Sequence, residues 1–442
     1  MKADLARITY DATRHIRRVL RQQGRVEVEA DGNEQTAVLL HHLEAVMRDL
    51  VGPDAAPLPE ADGGRDGFKV TAEGPSDLRI ADGHYWVDGI LCENDTPGGV
   101  LYSKQADYPV EDKPQPGVHL VYLDVWERHL CADEAPWVRE VALGGPDTAT
   151  RSRLVWQVKV ADHLDIAPDP AAVRKDWPRI VERFQAARRG QLRARAVAVR
   201  GSADPCVTPP DSRYRGPENQ LYRVEVHDPG EAGKGATFVW SRDNGSVVYP
   251  VRRLLGSAAL VERLPVDLRF ALEPGHWVEV VDDTTSLLGT PGRLLEVKRV
   301  DDDELEVELV VPSGSPALPA FDEKSTTHPL LRRWDQRSAA IPVEEGVWID
   351  VEDGIQVLFE APAPANGGRP HRYRSGDYWT IPARVATGDV EWPQEGGQPA
   401  ARPPQGVLHH YAPLAVATFA AAGGPANVKD TRRRMVKLWK DL

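Results

Sequence analysis

Apolar residues at helical spacing open the chain. Leu39, Leu43, Val46, Met47 and Leu50 recur on one face of a helix. Asp31 stands three residues before Glu34, which suits a capping box, and Gly52-Pro53 supplies a stop. Residues 1–52 therefore read as an N-terminal attachment segment with an amphipathic helix. Its apolar stripe must be covered, either by the rest of the chain or by another subunit. Residues 53–66, rich in Pro, Gly, Ala and Asp, read as a long loop.

From Gly67 the period shortens to that of strands, with candidates at 68–70, 84–92, 118–126 and 154–160. The run 118–126 is almost continuously apolar, which predicts a strand covered on both faces. Asp82-Gly83 and Asp88-Gly89 supply the positive φ of tight hairpin turns. A short helix is expected over 178–189, then strands at 192–199, 221–227, 237–240 and 246–251. Three strands in close succession follow at 277–281, 293–300 and 304–311, with Asp301-Asp302-Asp303 as a charged turn, and suit a small SH3- or OB-like barrel. Further strands fall at 347–351, 355–360, 377–384 and 412–419. Residues 427–442 read as a basic amphipathic helix carrying Met435, Leu438, Trp439 and Leu442.

The expected fold is mainly β: several small β-sandwich or barrel-like modules with an N-terminal helical segment and a short C-terminal helix. In chain order the expected parts are 1–52, a first β module at 65–165, a second β segment at 190–254, the barrel at 255–315, a C-terminal β module at 325–425 and the helix at 426–442.

Composition narrows the function. Gly and Pro number 37 each, which favours many short elements joined by turns. The net charge of −13 disfavours a nucleic-acid partner, whose binding relies on neutralising phosphates. The basic runs at 14–21 and 432–434 are short and read as solvated faces or subunit contacts. No apolar run approaches the roughly 18 residues of a membrane span. No secretory signal is evident, so a cytoplasmic origin is expected. Cys92, Cys131 and Cys206 are too widely spaced for a disulfide framework or a zinc site.

Candidate chemistry is thin. His41-His42 and His409-His410 are adjacent pairs, and neighbours point in different directions, so one pair cannot easily chelate one ion. Acids stand beside aromatics at Asp124, Trp126 and Glu127, at Asp377 with Trp379, and at Glu391 with Trp392. Carbohydrate-active sites pair such residues, but the favoured reading puts the Trp in sheet cores and the acids in solvent. No GxSxG elbow and no phosphate-binding glycine loop occurs. No catalytic residue, metal or cofactor is therefore expected.

More distinctive are segments that combine an aromatic, an Arg and an Asp, Asn or Gln. Arg215 lies in one; Trp240, Arg242 and Asp243 in the next; Arg333, Trp334 and Asp335 in a third; Asp377, Trp379 and Arg384 in a fourth. An Arg can stack on a ring while forking onto a carboxylate, so such clusters lock loops or anchor interfaces.

These segments, with Arg18, Gln22, Gln23 and Arg25 near the N-terminus, Asn33 and Glu34 on the helix, and the stretches around Trp86 and Trp126, resemble a bacterial family of uncharacterised domains. Members of that family look like parts of phage-tail-like contractile injection systems. The resemblance spans nearly the whole chain and implies a non-catalytic structural role at the baseplate periphery, a spike cage or a fibre-like appendage. The implied partners are other subunits of the particle and further copies of this chain, with possible later release of the particle. Gly32 departs from the pattern, which would place Trp there. The rival readings are a carbohydrate-binding or glycan-cleaving module, prompted by 12 Trp and many acids, and an injected cargo protein.

Overall fold

The structure, a computed structural model, describes residues 1–59, 65–74, 77–109, 114–161, 169–185, 189–197, 213–265, 267–362, 368–420 and 426–435. Strands hold 38% of the described residues and helices 15%, so the chain is mainly β as its patterning predicts. Its parts do not follow chain order. One compact unit gathers Met1–Ile8, His129–Arg151 and Ala186–Val407; the other gathers Thr9–Arg128, Ser152–Gln185 and Leu408–Leu442. Pairing between distant strands, rather than succession along the chain, decides what packs together.

In the second of these units the N-terminal helix α1 runs over Glu29–Val51. Its N-cap is Val28, which offers no capping side chain, so Asp31 falls inside the first turn and the expected capping box does not form. There its charge still complements the helix dipole. Gly52, at φ 88°, ends the helix as predicted. Only Ala30 and Val38 of α1 are buried. Of the predicted apolar row, Met47 is half-buried, but Leu39, Leu43, Val46 and Leu50 are bare, at 60%, 55%, 53% and 71% exposed.

The hairpin Gly83–Val87 to Ile90–Asn94 turns at Asp88-Gly89, both with positive φ, as expected. Asp82-Gly83 makes no such turn, because the strands on its two sides belong to different sheets. A Cβ on Gly89 would stand 2.2 Å from the Glu44 carbonyl oxygen, so this glycine lets the hairpin approach α1.

The largest sheet of this unit orders Asn427–Asp430, His410–Phe419, Gly117–Leu130 and Arg151–Ala161. The strand Gly117–Leu130 is covered on both faces, as its apolar run predicts. Val121, Leu123 and Val125 pack into the main core with Phe68, Tyr85 and Leu414. Leu120 meets Val173 and Ile180 of helix α2 on the other side. Helix α2 spans Pro170–Phe184, so Pro178 lies inside it rather than at its start. The true start uses Pro170 at the first turn, with the Asp169 side chain accepting from the Ala172 N–H.

The helix expected from residue 427 does not begin there, because Asn427–Asp430 pairs with Ala415–Thr418 as a strand. Residues 436–442 lie outside the described residues, as does Cys206. Arg432 is no solvated charge either: its side chain is fully buried and bridges Asp66 at 3.3 Å and Asp430 at 2.7 Å.

The first unit contains the predicted barrel with wider bounds. Six strands close it in the order Val248–Leu255, Ala258–Val261, Glu306–Val310, Arg293–Asp301, Trp277–Val281 and Leu330–Trp334. The three local strands were visible in the sequence pattern; the closing strand Leu330–Trp334 arrives from beyond residue 315. Val278, Leu295, Val307 and Leu331 fill the interior. A five-stranded sheet orders Ile341–Pro342, Thr237–Ser241, Gln220–Val226, Tyr378–Arg384 and Asp389–Val390. A three-stranded sheet of Trp348–Asp350, Ile355–Phe359 and Leu192–Ala196 shares a core with it, centred on Phe238, Phe359 and Trp379.

Candidate functional site

The strand Gln220–Val226 is buried along its whole length, yet it carries Arg223 and Glu225. Charges in such a strand need partners. Arg223 bridges Glu225 at 2.5 Å, lies 3.5 Å over the Tyr378 ring and donates to Asn244 Oδ1 at 3.1 Å. Asn244 and Gly245 both adopt positive φ in the turn after Thr237–Ser241. That turn aims the Asn244 amide at the chain's first residues.

Residues 1–8 lie in the resulting groove. Asn244 Nδ2 donates to the carbonyls of Met1 at 3.1 Å and Ala3 at 2.8 Å, and Arg223 donates to the Met1 carbonyl at 3.2 Å. Lys2 Nζ stands 2.8 Å from Glu225 Oε1 and 5.4 Å from the centre of the Trp334 ring. Trp334 in turn donates to Glu279 at 3.0 Å. Further along, Arg384 donates to the Ala6 carbonyl at 2.7 Å, and Arg7 and Arg384 share Glu391. Burial alone would raise the Glu225 carboxyl, but Arg223 and Lys2 together outweigh it and hold it at about 2.

Beside the groove is a second ionic cluster. Arg333 is 3% exposed and donates to the carbonyls of Arg269 at 2.9 Å and Ala271 at 3.1 Å. It also faces Asp335 at 3.3 Å and Asp243 at 3.6 Å. Arg242 offers its backbone N–H to Asp335 at 2.9 Å and its guanidinium to Glu352 at 2.8 Å. Arg269 joins Asp243 to Glu218. Burial raises the Asp243 carboxyl, with Arg269 and Arg333 opposing.

Of the residues singled out by sequence, Trp240, Arg242, Asp243, Arg333, Trp334 and Asp335 come together here, with Arg384 at the groove's far end. Trp240 and Trp334 are both buried. Asp377 and Trp379 lie on the neighbouring strand region with other partners: Arg189 pairs with Asp377, and Trp379 donates to the Arg402 carbonyl at 2.8 Å. Arg215 holds Asp353 through its backbone N–H at 3.1 Å. In the other unit, Trp126 packs beside His409. Arg18, Gln22, Gln23, Arg25 and Asn33 are exposed, and Glu34 accepts from Thr9 at 2.5 Å.

Of the acids beside aromatics, Glu127 and Glu391 face solvent as expected, but Asp124 and Asp377 do not. Asp124 is buried between His409 at 2.7 Å and Lys159 at 2.6 Å, and Asp377 is buried against Arg189. His410 turns instead to Asp88 at 2.9 Å, so the adjacent histidines serve separate carboxylates. Among the described residues no cluster of His, Cys, Asp and Glu fits a metal ion, and no helix is long and apolar enough to cross a membrane. A cleft elsewhere on the barrel is lined by Asp133, Glu262, Asp322, Glu323 and His328, with no Trp, Tyr or Phe for a sugar to stack on.

Lys2, Arg269 and Glu279 lie outside the segments singled out by sequence, whereas Arg223, Glu225 and Asn244 lie within two of them without having been picked as site residues. The available signal was Arg223 and Glu225 alternating inside the otherwise apolar run Leu221, Tyr222, Val224, Val226.

These features define a mainly β protein whose distinctive side chains are used internally, in a buried ionic network beside a closed barrel. The chain belongs to the family of unknown function DUF6519, whose model matches residues 1–194 and 179–424. No curated protein and no solved structure matches it.

Proposed function

We propose that the protein is a non-catalytic structural subunit of a phage-tail-like contractile particle, attached through α1 to a neighbouring subunit. The observation that carries this reading is the bare row Leu39, Leu43, Val46 and Leu50. These residues follow the spacing of a helix that packs against another element. Left uncovered, such a row invites non-specific association, and rows of this kind mark protein–protein contacts. The internal use of the Trp, Arg and Asp clusters is in keeping with a scaffold role. The particle itself, and a place at its baseplate periphery, spike cage or appendage, rest on the sequence resemblance alone.

The test is incorporation. Leu43→Asp changes an exposed position and should leave the fold intact. In cells that make the particle, the wild-type chain should co-purify with sheath and baseplate proteins in fixed ratio, and the variant should be lost from that fraction. Absence of the wild-type chain from purified particles would end the structural reading. Variable, lumenal presence would favour the cargo reading instead.

A further inference from the structure

We propose that the groove of the first unit is a receptor for a lysine-bearing extended segment, and that residues 1–8 of another copy of this chain can fill it. The groove is incomplete without the segment. Glu225 is buried and relies on Lys2 as well as Arg223. Asn244 is buried with its amide committed to two carbonyls of the segment. Gly245, at φ +68°, makes the turn against which the Lys2 methylenes lie, 3.6 Å from where its Cβ would stand. The site therefore recognises an ammonium between Glu225 and the Trp334 face, together with the backbone on either side of it.

Nothing in these contacts requires the segment to come from the same chain. After Ile8 the chain joins the other compact unit. Residues 9–28 contain only a single 3-10 turn, Ala12–Arg14, before α1 begins, and most of them are exposed. Side-chain hydrogen bonds fasten this stretch to α1, Thr9 to Glu34 at 2.5 Å and Val19 to Gln35 at 2.8 Å, and the Tyr10 ring lies 6.1 Å from that of His41. Released from them, about 20 extended residues can reach roughly 65–70 Å. Exchange of an identical element between copies keeps every native contact, which is why it is a low-cost route to linked subunits. The tether gives the chain's own segment an effective concentration of order mM. Exchange therefore prevails where copies are held at comparable density. This inference does not depend on the identity of the particle.

Charge reversal separates exchange from a purely internal contact. Lys2→Glu spoils the segment and Glu225→Lys spoils the groove. Each variant alone should melt below the wild type. The same two changes in one chain should recover the melting temperature, showing that the reversed pair is accepted. Refolded together at high concentration, the two single variants should form a one-to-one heterodimer with the melting temperature restored, because each segment then meets a complementary groove. Independent melting with no heterodimer would overturn the proposal. A second measurement uses the wild-type chain and stands even if a single variant does not fold. Light and heavy nitrogen-labelled chains are refolded together and joined by a carbodiimide, which couples the Lys2 amine to the Glu225 carboxylate. Mixed-mass Lys2–Glu225 peptides at a yield comparable with unmixed ones are expected; only unmixed peptides at every concentration would refute exchange.

Discussion

Replacing Arg333 with Met tests whether the second ionic cluster holds the first unit together. The side chain is almost wholly buried and donates to two backbone carbonyls, at 2.9 and 3.1 Å. Its contacts to Asp335 and Asp243 are ionic rather than close hydrogen bonds, at 3.3 and 3.6 Å. Removing one partner of a buried pair costs about 3–5 kcal/mol. Here the abandoned carboxylates keep partners, since Asp243 retains Arg269 and Asp335 retains the Arg242 N–H. The lower end, ~3 kcal/mol, is therefore expected at pH 7. The pH dependence follows from Asp243, whose carboxyl is already raised by burial. Loss of Arg333 raises it further. A carboxyl raised in the folded state binds more protons there than in the unfolded chain, so stability falls as pH rises through that range and is regained on acidification. The difference between Arg333→Met and wild type should thus be largest near pH 7 and shrink towards pH 4. Urea unfolding followed by Trp fluorescence at several pH values measures it. A difference below about 1 kcal/mol at pH 7, or one that grows on acidification, would refute the reasoning.

Three further outcomes are expected. Trp240→Ala removes a buried ring packed against Tyr222 and should cost about 3–5 kcal/mol, read as a lowered melting temperature. Gly89→Ala would force a Cβ against the Glu44 carbonyl at positive φ, at a cost of about 1–3 kcal/mol, and hydrogen exchange should report faster opening of α1. In Asp124, burial alone would raise the carboxyl, but His409 and Lys159 outweigh it and hold it below the usual range; its stabilisation is present above the ordinary carboxylate range and is lost as pH falls below it. Asp124→Asn should therefore flatten the acid limb of the stability curve of the second unit, and an unchanged limb would count against that assignment.

Local elements were legible in the sequence and distant pairings were not. The strands around Trp277, Arg293 and Glu306 are consecutive in the chain and each pairs with the next, so periodicity alone exposes them. No pattern announces that Ile355–Phe359 pairs with Leu192–Ala196, or that Leu330–Trp334 closes the barrel, because register between remote strands depends on the whole core. The same holds for the site. The Trp, Arg and Asp residues near 240 and 334 could be read as mutual locks because their chemistry is conspicuous. Lys2 could not be assigned to Glu225, since an isolated lysine in a polar stretch looks like solvated charge. Arg432 misled for the same reason: three consecutive arginines suggest a surface, and only the fold brings Asp66 to them. Pro178 misled differently, because a proline tolerated within a helix looks in sequence like its first turn.

The sheet of the second unit has a consequence for how the protein is made. Asp124, on one central strand, and His409, at the start of the next, are 285 residues apart. At translation rates of about 5–20 residues per second, the strand Gly117–Leu130 waits about 15–60 s for His410–Phe419 to emerge. Throughout that interval Val121, Leu123 and Val125 lack the neighbour they face in the finished sheet. A nascent chain in this state presents an apolar strand edge on which a ribosome-bound chaperone can act, and a message broken anywhere before codon 419 yields a product with that edge permanently open.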